Sequence, residues 1–472
     1  MSAVKEVRRL SDIEATFAYR HALMHGDTQV TTHVTLDAAF GPEQVERAVR
    51  LWARRFPLLS LRIGEAGGSL WFRQSGPPCP GQLAQCELPG ARTPADLLAD
   101  EVNDVLPGGG RLWRLRVAHD RMAGVTHVYF TRHHALSDGY AEGRLVRALL
   151  DLLFGRPGVD GVPSAVEDLA PNADELTYRP PRRDPPVWPG TASRPGTEHE
   201  QGMEHGQRTE HEQGTERGQG AEHCPGARWP LERTGPGASA GESGQPAGQR
   251  GADRPWRARG TGVVSLSLPP RESLRLKRWC GERQVTISQF LAAALAESYA
   301  RTTGRDEVVL SSTVSLRQRY AEHVLVPEAG CFLNVVPTPL RIGVGGPVGH
   351  ARAYARSLRA ADAAWRPGCR EHSRIRRAVE AEAAGEGAAG ISVTDAGSVD
   401  VALGAHAARV TDVRTVVNRK AAAAPAVNAL HLSAFKGALG LSLTYPTPGA
   451  DAGAARATVM ELGRRALNPG TP

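Results

Sequence analysis

The chain has 472 residues, of which 41% are apolar, a length that suits two lobes of ordinary size rather than one small domain. Its net charge of +7 invites a nucleic-acid reading, yet only four of the 57 basic residues are lysine, and the arginines are scattered along the sequence rather than clustered. A phosphate-binding footprint concentrates on one face, so no nucleic-acid partner is expected, and the abundant Ala, Gly and Pro point to the codon usage of a GC-rich genome. The six cysteines form no CxxC pair, which predicts free thiols in a reducing cytosol and no metal site. Residues 1 to 10 lack the apolar core of a signal peptide, and no run nears the roughly 20 apolar residues of a membrane span. The expectation is a cytoplasmic protein without a membrane partner.

Residues 1 to 182 read as a first lobe. Thr28 to Leu36 alternates like a strand, and Gly41-Pro42 opens an amphipathic helix with Val45, Ala48, Val49, Leu51 and Trp52 on its apolar side. Phe56-Pro57-Leu58-Leu59 ends that helix and leads into a strand near Ser60 to Ile63. Leu112 to Ala118 and Gly124 to Thr131 predict a strand pair, followed by a helix from Tyr140 to Phe154.

Residues 183 to 258 are rich in Gly, Pro, Glu, Gln, Arg and His and nearly empty of aliphatic side chains. Such a segment cannot bury enough apolar surface to offset its ordering entropy, so a disordered linker between lobes is expected. Within it, residues 197 to 226 carry a degenerate hexapeptide repeat that places His199, His205, His211 and His223 at multiples of six. Six-residue spacing suits no compact ligand geometry, which favours an expanded repeat over a metal-binding tract.

Residues 259 to 472 read as a second lobe. Val263 to Leu268 alternates as a strand, Pro270 starts a helix, and Thr286 with Gln289 forms a capping box for a long helix ending near Gly304. Strands are expected at Asp306 to Thr313, within Gly330 to Ile342, at Ile391 to Val401 and at Ala438 to Tyr445. Helices are expected at Val348 to Trp365 and Ala454 to Leu467. Strands alternating with helices in both halves predict two α/β (α+β) lobes.

The chemistry concentrates at His133-His134-Ala135-Leu136-Ser137-Asp138-Gly139, where a strand gives way to a helix. A histidine at a strand end can act as a general base near neutral pH, and an aspartate four residues on can hold the turn that aims it. The stretch matches HHxxxDG, and other segments resemble family elements in the same order. Phe56-Pro57-Leu58-Leu59 resembles an early His-Pro-x-Leu turn with Phe56 in place of histidine. Val314-Ser315-Leu316-Arg317 resembles the segment that supplies an arginine to the motif aspartate. Gly330-Cys331-Phe332-Leu333-Asn334 resembles a Gly-Asn-Phe-Val-Asn strand with Cys331 in place of the first asparagine, and Val393-Thr394-Asp395-Ala396-Gly397 falls where relatives carry a Thr-Asn-x-Gly or Asp-Phe-Gly-Trp-Gly element. Together they resemble the condensation-domain and acyltransferase superfamily with the chloramphenicol acetyltransferase fold, closest to polyketide-associated acyltransferases and stand-alone condensation enzymes.

That resemblance implies two chloramphenicol acetyltransferase-like lobes in a V around an interlobe tunnel. It implies acyl transfer from a thioester, carried by acyl-CoA or by the phosphopantetheine of an acyl or peptidyl carrier protein, to a small-molecule alcohol or amine in natural-product or lipid metabolism. His134 is then the base, Asp138 the structural partner of Arg317, Gly139 the tight turn, and His133 a packing or orienting residue. Ser392 and Thr394 are candidate oxyanion donors or ordinary strand hydroxyls, and Asn334 satisfies backbone groups or meets substrate. No bound cofactor is required, and a monomer is expected. Ester and amide products stay open, as does a non-catalytic module that recruits carrier proteins on the same fold.

Overall fold

The computed structural model describes residues 6–75, 80–88, 90–155, 169, 172–175, 259–319, 330–343, 345–384, 390–420, 429–448 and 451–470. The linker expected at 183–258 and its histidine repeat lie outside the described residues. Among those described, the fold is mixed α/β with three sheets and ten α-helices. None of the described helices is long and apolar enough to cross a membrane.

The first half runs β1 (Glu6–Arg9), α1 (Asp12–Leu23), β2 (Val30–Leu36), α2 (Pro42–Arg55), β3 (Leu61–Ala66), β4 (Ser69–Gln74), β5 (Leu83–Glu87), α3 (Pro94–Asn103), β6 (Trp113–Asp120), β7 (Val125–Arg132) and α4 (Gly139–Leu153). The second half runs β8 (Gly260–Leu268), α5 (Pro270–Glu282), α6 (Ile287–Thr303), β9 (Glu307–Ser315), β10 (Leu333–Arg341), α7 (Gly346–Ala364), α8 (His372–Ala383), β11 (Ile391–Ser398), α9 (Val399–Leu403), β12 (Val410–Val417), β13 (Ala429–Phe435), β14 (Ala438–Thr447) and α10 (Ala452–Leu467). β1, β4 and β3 make a small sheet. The two large sheets are ordered β12-β2-β7-β6-β5 and β10-β9-β11-β13-β14-β8.

The first large sheet packs α2 and α4 on one face. α2 buries Val45, Ala48, Val49 and Trp52, while Leu51 is 42% exposed because it lies about 120° around the helix from that stripe. Trp52 and Trp113 meet edge to face at 5.1 Å, and their indole N–H groups donate to the carbonyls of Leu145 and Leu59. Each such fully buried large side chain contributes roughly 1.5–3 kcal/mol of apolar burial. In the second large sheet one face is apolar, with Leu310, Ile391, Val393, Leu430, Leu432, Leu441 and Leu443 packed under α6 and its neighbours. The capping box at α6 is present, and Gly304 ends the helix at φ +68°. The strand expected from Ile391 to Val401 stops at Ser398, after Gly397 turns the backbone to φ +67°, and α9 takes the remainder.

The second half of the chain is not confined to the second sheet. β12 pairs antiparallel with β2 on the edge of the first large sheet, from Val410 opposite Leu36 to Val417 opposite Val30. Ile375 and Val379 of α8 complete the core of the first half. His372 bridges Leu70 N and Leu10 O at 2.7 and 3.1 Å. The two halves are therefore joined through shared hydrogen-bonded and packed structure.

Candidate active site

β7 delivers the motif. Its last residue, Arg132, is almost wholly buried and donates through Nε to Ser137 Oγ at 2.7 Å and through Nη2 to Glu142 on α4. Glu142 also accepts from Thr32 on β2 and, at 3.0 Å, from Thr415 on β12. A buried guanidinium and carboxylate thus fold the motif back over the strand it came from. His133 is buried, and its Nδ1 accepts from Ala135 N at 3.1 Å, so the neutral ring carries its proton on Nε2. Burial first, and then the neighbouring His21 and His134, which would repel a second cation, hold its pKa well below the ordinary value.

His134 opens a short 3-10 turn, His134–Leu136, at the strand end. Its ring stacks on Phe17 of α1 with centroids 4.2 Å apart and planes 13° from parallel. Burial is the main force that lowers its pKa to about 4, with the Arg132 charge second, while nearby backbone and the Asp138 carboxylate push the other way. The imidazole is accordingly neutral and able to accept a proton at physiological pH. Nδ1 is enclosed with no hydrogen-bond partner, so Nε2 is the ring nitrogen left as the candidate to meet a substrate.

Asp138 caps α4 and ties the halves together. Its Oδ1 accepts from Ala141 N at 2.8 Å, the helix N-cap bond. Arg317 closes on it with two bonds of 3.0 Å, Nε to Oδ2 and Nη2 to Oδ1, and Phe332 N donates to Oδ2 at 3.0 Å. The Asp138 amide in turn donates to Gly330 O at 3.0 Å. The Arg317 guanidinium lies between the rings of Phe332 and Tyr140, at 4.7 and 5.0 Å. Gly139 is the first residue of α4 and has open space where a Cβ would sit, so it relieves no clash.

Strand register places the rest. Thr394 on β11 sits beside His431 on β13, and its hydroxyl meets Thr313 of β9 at 3.2 Å. Thr313, Ser392, Thr394 and His431 therefore share the face of the second large sheet opposite its apolar one. That face turns toward the motif, because Leu333 and Val335 on it pack with Phe17, the residue stacked on His134. His431 is buried, with an enclosed Nε2 that has no hydrogen-bond partner; burial and then His134 and Arg419 lower its pKa to about 4. Asn334 pairs with Val314, one residue off that register, so it lies on the helix-covered face away from Thr394.

The arrangement thus brings His134, Asp138 and Arg317 together, sets Ser392 and Thr394 on the facing sheet, and leaves Asn334 apart. Sequence reasoning missed Phe17, Arg132, Glu142, Thr313 and His431. Arg132 directly precedes the motif and Glu142 falls on the buried side of its helix, so adjacency was an available signal for both. Phe17 and His431 carry no local mark. No group of three or more metal-ligating side chains occurs among the described residues.

No family model matches the chain, and neither does any curated protein sequence. Solved structures do. A trichothecene 15-O-acetyltransferase from Fusarium sporotrichioides aligns with TM-score 0.64 and 12% identity over 98% of this chain and 94% of that one. The first condensation domain of the CDA synthetase gives 0.60 and 16% over 100% and 98%. Polyketide synthase associated protein 5 from Mycobacterium tuberculosis gives 0.58 and 14% over 99% and 98%. The chain shares the fold of these condensation-domain and acyltransferase structures.

Proposed function

We propose that the protein is an acyltransferase that moves an acyl group from a thioester to a hydroxyl or amine in specialised metabolism. The observation that carries this reading is His134, a neutral imidazole held by stacking on Phe17, with its turn clamped by Asp138 and Arg317. In the proposed step, Nε2 takes the proton of the acceptor as its oxygen or nitrogen attacks the thioester carbonyl. The tetrahedral intermediate collapses with loss of the thiolate, which receives the proton from the imidazolium. Transfer is direct and forms no acyl-enzyme. Thr394 and Ser392 are the proposed hydroxyl donors to the oxyanion, on the sheet face that packs beside Phe17. The tunnel between the halves is the proposed meeting place of donor and acceptor, acyl-CoA or carrier-bound thioester on one side and a small alcohol or amine on the other.

His134→Ala tests the reading. With the fold intact by circular dichroism, it is expected to lower kcat about 10²–10⁴-fold with a cognate thioester and acceptor, followed by intact mass of the product. Transfer near the wild-type rate would show that His134 is not the base. Absence of transfer by the wild type from both CoA and carrier donors would favour a recruiting module instead.

A further inference from the structure

A cavity of about 170 Å³ lies on the other side of α1 from the Phe17–His134 stack. Ala18, Tyr19 and Ala22 line it, and they sit about 100–200° around the helix from Phe17. Its floor holds Leu70, Leu112, His21 and His133, each no more than 7% exposed. Glu65, Arg111, Arg376 and the exposed loop 107–109 form the rim. Apart from Arg376 the lining comes from the first half of the chain, so this cavity is not the space between the halves.

The walls are fixed in advance. The rim loop is pinned at both ends: Leu106 N donates to Gln29 Oε1 at 2.8 Å, and Arg111 donates to Ser75 Oγ and O at 2.5 and 2.7 Å. The other rim cation, Arg376, donates to Glu380 at 2.8 Å, and Glu65 adds a negative charge to the mouth. On the floor, burial lowers the pKa of His21 to about 4 and holds that of His133 well below the ordinary value, so both imidazoles are neutral. Their ring centroids are 4.7 Å apart and the planes are tilted by 46°. His133 uses Nδ1 to accept from Ala135 N, so it brings an Nε2–H donor to the cavity wall. Nε2 of His21 is enclosed with no hydrogen-bond partner.

We propose that this cavity binds an uncharged, ring-sized molecule bearing one hydrogen-bond-accepting oxygen (an alcohol, phenol or ketone), with the oxygen toward His133 and the ring against Ala18, Leu70 and Leu112. The size follows from the volume: an apolar cavity of roughly 150 Å³ holds one benzene ring, so this one accommodates a six-membered ring with a single small substituent. The charge follows from the walls. A carboxylate or phosphate would find no cation on the floor, and both rim arginines already have partners. A plain hydrocarbon would bury the His133 donor without an acceptor. The assignment stands apart from the acyl-transfer reading and is tested without turnover.

Fluorine NMR titration of the full chain at pH 7 tests it, with 4-fluorophenol as the probe. Saturable binding is expected with Kd of about 1 mM or tighter, and fluorobenzene and 4-fluorobenzoate are each expected to bind about 5-fold more weakly or worse. Ala18→Leu fills the floor and Ala22→Phe narrows the mouth from an exposed position. Each is expected to weaken 4-fluorophenol about 10-fold or more, with folding checked by circular dichroism. If Ala18→Leu does not fold, Ala22→Phe decides. Loss of binding in a folded variant supports the cavity. No saturable binding by the wild type, or binding that survives in every folded variant, overturns it. Fluorobenzene bound as well as 4-fluorophenol would overturn the role of His133, and a preference for 4-fluorobenzoate would overturn the uncharged ligand.

Discussion

Asp138 illustrates how one carboxylate can tie a loop, a helix start and a distant strand together. It accepts four hydrogen bonds, from Ala141 N, Phe332 N and two atoms of Arg317, so each half of the chain contributes donors. Removing one member of such a buried pair strands the other charge. Asp138→Ala is therefore expected to cost about 3–5 kcal/mol in urea denaturation, with the first turn of α4 loosened and kcat lowered along with it. Arg317→Lys should retain only part of that stability, since an ammonium cannot make the paired contact. A stability loss under about 1 kcal/mol in both variants would show the clamp to be dispensable. The motif pair was legible in the sequence because HHxxxDG is contiguous and Arg317 sits in a recognisable segment. Phe17 and His431 were not, because a stacking platform and a facing imidazole are defined only once distant elements meet.

At the scale of elements, α1 is the wall against which the proposed base rests. Its periodicity is poor because its buried side carries Asp12, Glu14 and His21 as well as Ala15, Ala18 and Phe17, so polarity no longer marks the solvent face. Strands such as β2, β8 and β14 were legible from their alternation. β12 and β13 were not, being interrupted by charged or small residues, and β12 is committed to its sheet by a partner far away in sequence. The role of α1 has a pH signature. Burial is what depresses the His134 pKa, so Phe17→Ala, which opens the ring to water, is expected to raise it from about 4 toward 6.5. The acid limb of kcat/KM should then move to higher pH by one unit or more. An unshifted limb with reduced rate would mean that Phe17 positions the ring without controlling its charge.

The whole molecule stores many neutral histidines. Burial is the main cause that lowers His21, His134 and His431 to about 4 and His33 to about 3. In the unfolded chain these rings bind protons near pH 6.5, above their folded values. The unfolded state thus takes up more protons between those limits, and stability falls as pH drops from about 6.5 to 4. A thermal unfolding midpoint at least about 5 °C lower at pH 4.5 than at pH 7 is expected, measured by differential scanning fluorimetry. A flat profile over that window would contradict the buried, neutral assignment.

The pairing of β12 with β2 has a consequence for how the protein is made. When β2 leaves the ribosome, its edge partner lies about 370 residues ahead in the chain. At about 5–20 residues per second, that edge waits roughly 20–75 s for its neighbour. Through that interval a row of unpaired backbone amides and carbonyls faces solvent, an open template for strand exchange between nascent chains. Interrupting translation anywhere before Val410 would leave a first half with an unfinished edge, and it would release a sticky fragment rather than a smaller folded unit.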